Sequence, residues 1–75
     1  MQDKTIQQHY NGYTVRPSAY RLPDGSFSAN LLLERGSASG EAAQYEFHAL
    51  DYFDNEAQAI RYSHRWGRDW VDNRG

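Results

Sequence analysis

Arg61, Arg65 and Arg68 recur at intervals of four and three residues, with Trp66 among them. On a helix that spacing puts three guanidinium groups on one arc and an indole at its boundary. Such an array tracks phosphates while the ring stacks on a base, which is the chemistry of single-strand nucleic-acid contact. The competing reading is a solvated helix face whose arginine stems cover aromatic surface. Charge favours the second. Residues 54–75 hold four Arg against Asp54, Glu56, Asp69 and Asp72, and so sum to zero. The whole chain has a formal net charge of −2 and a pI near 5.8. Polyanion binders, by contrast, depend on a basic surplus.

The remaining reactive side chains do not assemble into a catalytic pattern. His9, His48 and His64 lack metal-ligand spacing; His9 and His48 share one sheet face, with no third ligand evident. Ser63 and His64 are neighbours on a helix and point about 100° apart, so they are not a nucleophile–base pair. Asp51 and Asp54 flank a helix start, where capping accounts for them better than acid–base work. No cysteine is present, which removes disulfides, thiolate metal sites and a thiol nucleophile together.

These residues sit in a chain of 75, long enough for one domain that buries roughly 60% of its unfolded surface. Six Tyr, three Phe and two Trp must supply the apolar bulk. The mean hydropathy of −0.96 is low, yet the aromatic content and regular alternation argue against disorder. Met1-Gln2-Asp3-Lys4 opens no apolar stretch of signal-peptide length, and no run is long enough to span a membrane. A cytoplasmic location is the expectation.

The elements follow from two periodicities. Tyr10-Asn11-Gly12-Tyr13 places Asn-Gly between β-prone runs, the signature of a two-residue type I′ hairpin. Its register sets Tyr10 against Tyr13, Gln8 against Val15 and Ile6 against Pro17 on one face. His9 with Thr14 and Gln7 with Arg16 take the other. Pro17 belongs near a strand end or bulge. Leu22-Pro23-Asp24-Gly25-Ser26 reads as a turn. Phe27, Ala29, Leu31 and Leu33 then alternate with Ser28, Asn30, Leu32 and Glu34. After the loop Gly36-Ser37-Ala38-Ser39-Gly40, Tyr45, Phe47 and Ala49 alternate with Gln44, Glu46 and His48.

From Asp51 onward the period changes to that of a helix, with Asp54 as the expected N-cap and Glu56 in the first turn. Ala57, Ile60, His64, Gly67 and Val71 share its apolar side, with Ser63 and Trp70 on the flank and Tyr62 and Trp66 at the boundary. Gly67 disfavours a helix by roughly 1 kcal/mol, which predicts a close approach of helix and sheet there. Phe27, Leu31, Leu33, Tyr45, Phe47, Ile60 and Val71 form the expected core. Tyr20, Leu32, Tyr52, Trp66 and Trp70 exceed what one helix can cover, which predicts a patch for a partner.

Tyr10-x-Gly12-Tyr13-x-Val15-x-Pro17, then Phe47, Phe53 and Ala57, and finally Arg68-x-x-Val71-Asp72 with Gly75, resemble a group of small bacterial proteins. Some of that group are labelled HlyU-type transcriptional activators. The likeness spans roughly residues 10–75 and rests on structural positions: a hairpin glycine, core aromatics and the two helix ends. It implies a sheet followed by one C-terminal helix and carries over no functional residue. A single helix makes no helix-turn-helix.

The sequence therefore reads as α+β, an antiparallel three- or four-stranded β-meander with one C-terminal α-helix packed on one face. The sheet covers about residues 5–50 and the helix about 54–72, in one domain 1–75. The expected function is a small non-enzymatic binding or regulatory module, without cofactor, metal or catalytic residue. Its candidate interaction surface is Arg61, Arg65, Trp66, Arg68 and Leu32. A second copy of the chain or another protein is the expected partner, with a nucleic-acid-binding regulator as the runner-up and no membrane contact. Gly12→Val should lower stability by about 1–2 kcal/mol through strain at a positive φ. Equal urea midpoints for variant and wild type would rule out the turn.

Overall fold

The computed structural model describes residues 8–36 and 42–74. Its elements are β1 (Gln8–Tyr10), β2 (Tyr13–Arg21), β3 (Phe27–Gly36), β4 (Ala42–Phe47), β5 (Tyr52–Phe53) and α1 (Glu56–Arg74). The strands form one open antiparallel sheet in the order β1-β2-β3-β4, with β5 also on β3. Helix α1 lies across one face, over β2 and β3. The fold is α+β, a four-stranded meander under a single C-terminal helix.

The hairpin has the expected geometry. Asn11 and Gly12 adopt φ of 49° and 86°, and the pairs are Tyr10 with Tyr13, His9 with Thr14 and Gln8 with Val15. The predicted pairs involving Ile6 and Gln7 lie outside the described residues, as do positions 37–40 of the predicted loop. The Leu22–Ser26 turn is closed by Leu22 N–H to Ser26 O at 2.8 Å, with Gly25 at φ 91°. Asp24 accepts from the Ser26 N–H and hydroxyl at 2.9 and 2.6 Å. Those bonds favour the carboxylate and hold its pKa below the usual value.

Hydrogen-bond direction explains Pro17. Ala29 donates to Asp51 O and accepts from Leu50 N–H, so its main-chain groups point toward the β4–β5 side. By alternation Ser28, Asn30, Leu32 and Glu34 point to β2, where they pair with Tyr20, Ser18, Arg16 and Thr14. Pro17 thus falls at a β2 position directed away from β3. Its missing N–H removes no bond of that ladder.

Two sequence expectations need correction beyond Phe47. The alternation was expected to run through Ala49, but β4 ends at Phe47 and Ala49 takes a left-handed φ of 56°. Phe47 pairs with Leu31 and Phe53 with Phe27, so six steps on one side match four on the other. The surplus residues form a bulge. Asn30 Oδ1 accepts from Ala49 N–H at 2.8 Å and supplies a partner to a backbone group that the ladder leaves unpaired. The helix was expected to be capped by Asp54. Instead Asn55 is the cap, accepting from Gln58 N–H through its side chain at 3.2 Å, because Tyr52 and Phe53 are held extended against β3.

The helix buries Ala59, Ser63, Gly67 and Val71, a row spaced by four residues. Ala57, expected on that side, is exposed, and Ile60 and His64 are only half-buried. Small side chains along the row let the helix settle onto Val15, Leu31 and Leu33, each at most 3% exposed. Tyr13 and Pro17 are buried with them. Of the expected core, Leu31, Leu33 and Val71 are buried, whereas Phe27, Tyr45, Phe47 and Ile60 are half-buried. The helix is centred over β2 and β3, so residues of β4 and β5 lie toward its flank.

A Cβ added at Gly67 would sit 3.2 Å from both Leu31 Cδ atoms and from Val15 Cγ1. Ser63, in the same row, is fully buried and its hydroxyl has no hydrogen-bond partner. Opposite outcomes are expected at neighbouring turns. Gly67→Ala should lose about 1–2 kcal/mol, the crowding of packed Leu31 and Val15 outweighing the gain in helix propensity. Ser63→Ala should gain about 1 kcal/mol by removing an unpaired buried hydroxyl. Urea titration decides both; a stabilising Gly67→Ala would show that the layers have slack.

Candidate interaction surface

Four residues per step carry Arg61 to Arg65, and three more reach Arg68, so all three stand on the solvent side of α1 and are exposed. With His64, Asp69 and Asp72 they line a depression of about 350 Å³. Among the described residues no carboxylate lies within ion-pair distance of Arg61 or Arg65; the ion pairs there are Arg16–Glu34 and His48–Glu46. Arg68 is engaged differently. Its guanidinium lies 4.9 Å from the Tyr10 ring centroid, and the Tyr10 hydroxyl donates to Asp72 at 2.7 Å. Asn11 Nδ2 approaches the same carboxylate at 3.5 Å. Together these contacts tie the first hairpin to the end of the helix.

His64 is on the flank of α1 that faces β1. Its Nε2 donates to the side-chain oxygen of Gln8, which fixes the ring as the Nε2–H tautomer when neutral. Burial, and then the charge of Arg68, push its pKa below the ordinary imidazole value. Three arginines and two aspartates therefore line the depression with one net positive charge while His64 is neutral.

Trp66 faces the other flank. Its ring packs 4.8 Å from Phe47, and Trp70 lies 5.0 Å from Tyr45 and 5.9 Å from Tyr13. A shallower hollow beside it is lined by Tyr62, Arg65, Trp66 and Asp69. Arg74 closes the row with its guanidinium 4.6 Å from the Trp70 ring. Trp66 is thus half-buried packing that keeps one edge toward solvent.

Leu32 is on the opposite side of the molecule. It belongs to the sheet face that α1 leaves uncovered, between Arg16 and Glu46 in the register. Arg16 pairs with Glu34 at 3.2 Å, and Gln44 donates to the same carboxylate at 2.8 Å. The five candidate residues therefore divide: Arg61, Arg65 and Arg68 on the helix, Trp66 on its flank, Leu32 behind the sheet.

That uncovered face carries two tyrosines besides Leu32. Tyr20 and Tyr52 both pair with Ser28, from β2 and β5, and so stand on one face on either side of it. They are 63% and 57% exposed, the large hydrophobic side chains most open to solvent, while Ser28 between them is only 5% exposed. Ser28 Oγ donates to Asn30 Oδ1 at 3.2 Å. The sequence singles out both tyrosines as surplus aromatics. Their meeting depends on the bulge that returns Tyr52 to β3, for which no local motif exists.

His9 is 3.2 Å from the Thr14 hydroxyl on β1, whereas His48 is 3.7 Å from Glu46 just after β4, at the opposite edge of the sheet. The described residues contain no group of three potential metal ligands. Among the described residues no helix is long and apolar enough to cross a membrane. Compared with protein families, with curated proteins and with solved structures, the chain finds no match in any of the three.

The lowered pKa of His64 has a definite sign. Folding favours the neutral ring, so its contribution to stability is complete above the ordinary value of about 6.5 and is lost as pH falls through the folded value. Wild type should therefore lose more stability than His64→Gln between neutral pH and about pH 5. Parallel urea midpoints for the two proteins across that range would refute the assignment.

Proposed function

We propose that this chain is a small non-enzymatic binding module that acts through contact with another protein, on the uncovered face of its sheet. The observation behind the reading is the row Tyr20–Ser28–Tyr52. Two exposed tyrosines on either side of Ser28 offer rigid apolar area and a hydroxyl each, the make-up of protein-contact anchors. Leu32 adds apolar surface two rows away. Arg16, Glu34, Glu46 and His48 give a fringe of mixed charge on the Leu32 side of the row. The proposal places this action in the cytoplasm, an environment that suits a cysteine-free chain.

The runner-up is nucleic-acid binding through α1, favoured by the unpaired guanidinium groups of Arg61 and Arg65 in one depression. It ranks second because Asp69 and Asp72 share that depression and Arg68 is held against Tyr10. The mixed charge of the sheet face likewise offers the tyrosine row no basic surplus for holding phosphates.

Tyr20→Ser with Tyr52→Ser, and separately Arg61→Ser with Arg65→Ser, test the two readings by cross-linked capture from source-cell extract. The tyrosine pair should lose at least about tenfold of the captured partner, with capture indifferent to nuclease. Nuclease-sensitive capture lost only with the arginine pair would reverse the ranking. In that case affinity should fall with salt by about 0.7 log units per log unit for each phosphate contact.

A further inference from the structure

The free edge of β4 is the other unused surface, and its side-chain order is self-complementary. Ala29 directs its main-chain groups toward the β4–β5 side, so Leu31, Leu33 and Arg35 do the same by alternation. Their partners Phe47, Tyr45 and Ala43 are then the residues bonded inward. Gln44 and Glu46 consequently turn their main-chain N–H and C=O away from the sheet. Among the described residues β4 is the last strand of the order, and no strand pairs with that edge.

An added strand can bond only at Gln44 and Glu46, which limits self-pairing to a few registers. A two-fold axis at Glu46 would set that carboxylate against its own copy, which is unfavourable. An axis at Gln44 would leave Glu46 paired with Ala42, at the limit of the strand. An axis at Tyr45 sets Gln44 against Glu46 of the second copy, twice, so that all outward main-chain groups of the two residues are satisfied. It also places an amide donor beside a carboxylate on the outer face. On the inner face Ala43 meets Phe47 of the second copy, small against large, and Tyr45 meets its own copy beside Trp70.

The flank of α1 next to β4 has the composition of an interface. It presents Tyr62, Trp66 and Trp70, half-buried against Phe53, Phe47 and Tyr45. The basic groups His64 and Arg68 are on the other flank. Arg65, Asp69 and Arg74 stand at the margin of these rings, and aromatic surface with a charged margin next to an unpaired edge is what strand addition covers.

We propose that the protein forms a two-fold homodimer by antiparallel pairing of β4 with β4 of a second copy, centred on Tyr45, making one continuous sheet of ten strands, eight across. This is independent of the tyrosine row, which is on the uncovered face of the sheet and not on the main-chain edge of β4.

Sedimentation from about 10 µM to 1 mM tests it, a range that brackets weak to moderate self-association. Wild type should run as a dimer at the upper end. Glu46→Pro removes an N–H that faces the free edge, so it should give monomer with an unchanged circular-dichroism spectrum. Gln44→Glu should weaken the dimer about tenfold by setting two pairs of carboxylates together, with partial recovery in high salt. It also gives up the amide bond to Glu34, and its circular-dichroism spectrum should still match wild type. Gln44→Lys should tighten it. A monomeric wild type throughout, or a dimer of unaltered affinity in Gln44→Glu, would overturn the proposal. Capture that is unchanged in the tyrosine pair, with the dimer intact, would count against the docking surface alone.

Discussion

The distance between helix and sheet at Gly67 governs the rest of this structure. With no side chain there, α1 descends until its backbone meets Leu31 and Val15, a gap in which even a methyl group would be 3.2 Å from three atoms. Ala59 and Ser63 continue the same low row toward the N-terminus, so the helix lies close along its length rather than at one point. A domain of this size has little apolar area to bury. Close approach raises the share of each side chain that packing removes from water, which is why Val15, Leu33 and Val71 are almost wholly covered.

A helix held over β2 and β3 leaves both flanks of the sheet to be closed by long side chains. On the β4 side the aromatic rings do this: Trp66 and Trp70 reach down to Phe47 and Tyr45, and Tyr62 to Phe53. On the β1 side the closure is polar, through His64 on Gln8, Arg68 over Tyr10 and Asp72 on the Tyr10 hydroxyl. The asymmetry has a functional consequence. One edge is closed by partly covered rings, with Arg74 stacked on Trp70 at its end, while the other is closed by hydrogen bonds and the stacking of Arg68 on Tyr10. Arg68 therefore has a structural task, which separates it from Arg61 and Arg65 although the three share a spacing.

The two broad faces of the molecule also differ in kind. The helix face is charged and nearly balanced in sign. The sheet face combines mixed charge with Tyr20 and Tyr52, brought level by the bulge at Ala49 and the hydrogen bond from its N–H to Asn30. A backbone irregularity thus creates the most exposed aromatic surface of the domain. If the strand after Phe47 ran on in the Phe47–Leu31 register with no bulge, Tyr52 would fall opposite Ser26 instead of Ser28.

Much was legible in the chain before folding, and the reason is that it was encoded locally. Asn11-Gly12 specifies a hairpin because only residues tolerant of positive φ make that turn, and the turn then sets the register of Tyr10, Gln8 and Val15. The alternation of Phe27 to Glu34 and the later 3.6-residue period state which element each segment forms. Gly67 announced a close contact by its cost to the helix. Tertiary structure alone decided the rest. Whether Ala57 or Ala59 is buried depends on the helix rotation that best seats Gly67, and whether Asp54 or Asn55 caps depends on Tyr52 and Phe53 being held by β3. Leu32 and the arginines looked like one surface because each is apolar or charged beyond local need. Only the layering of helix on sheet shows that they face opposite ways, since a pattern along one strand or helix carries no information about which face another element will cover.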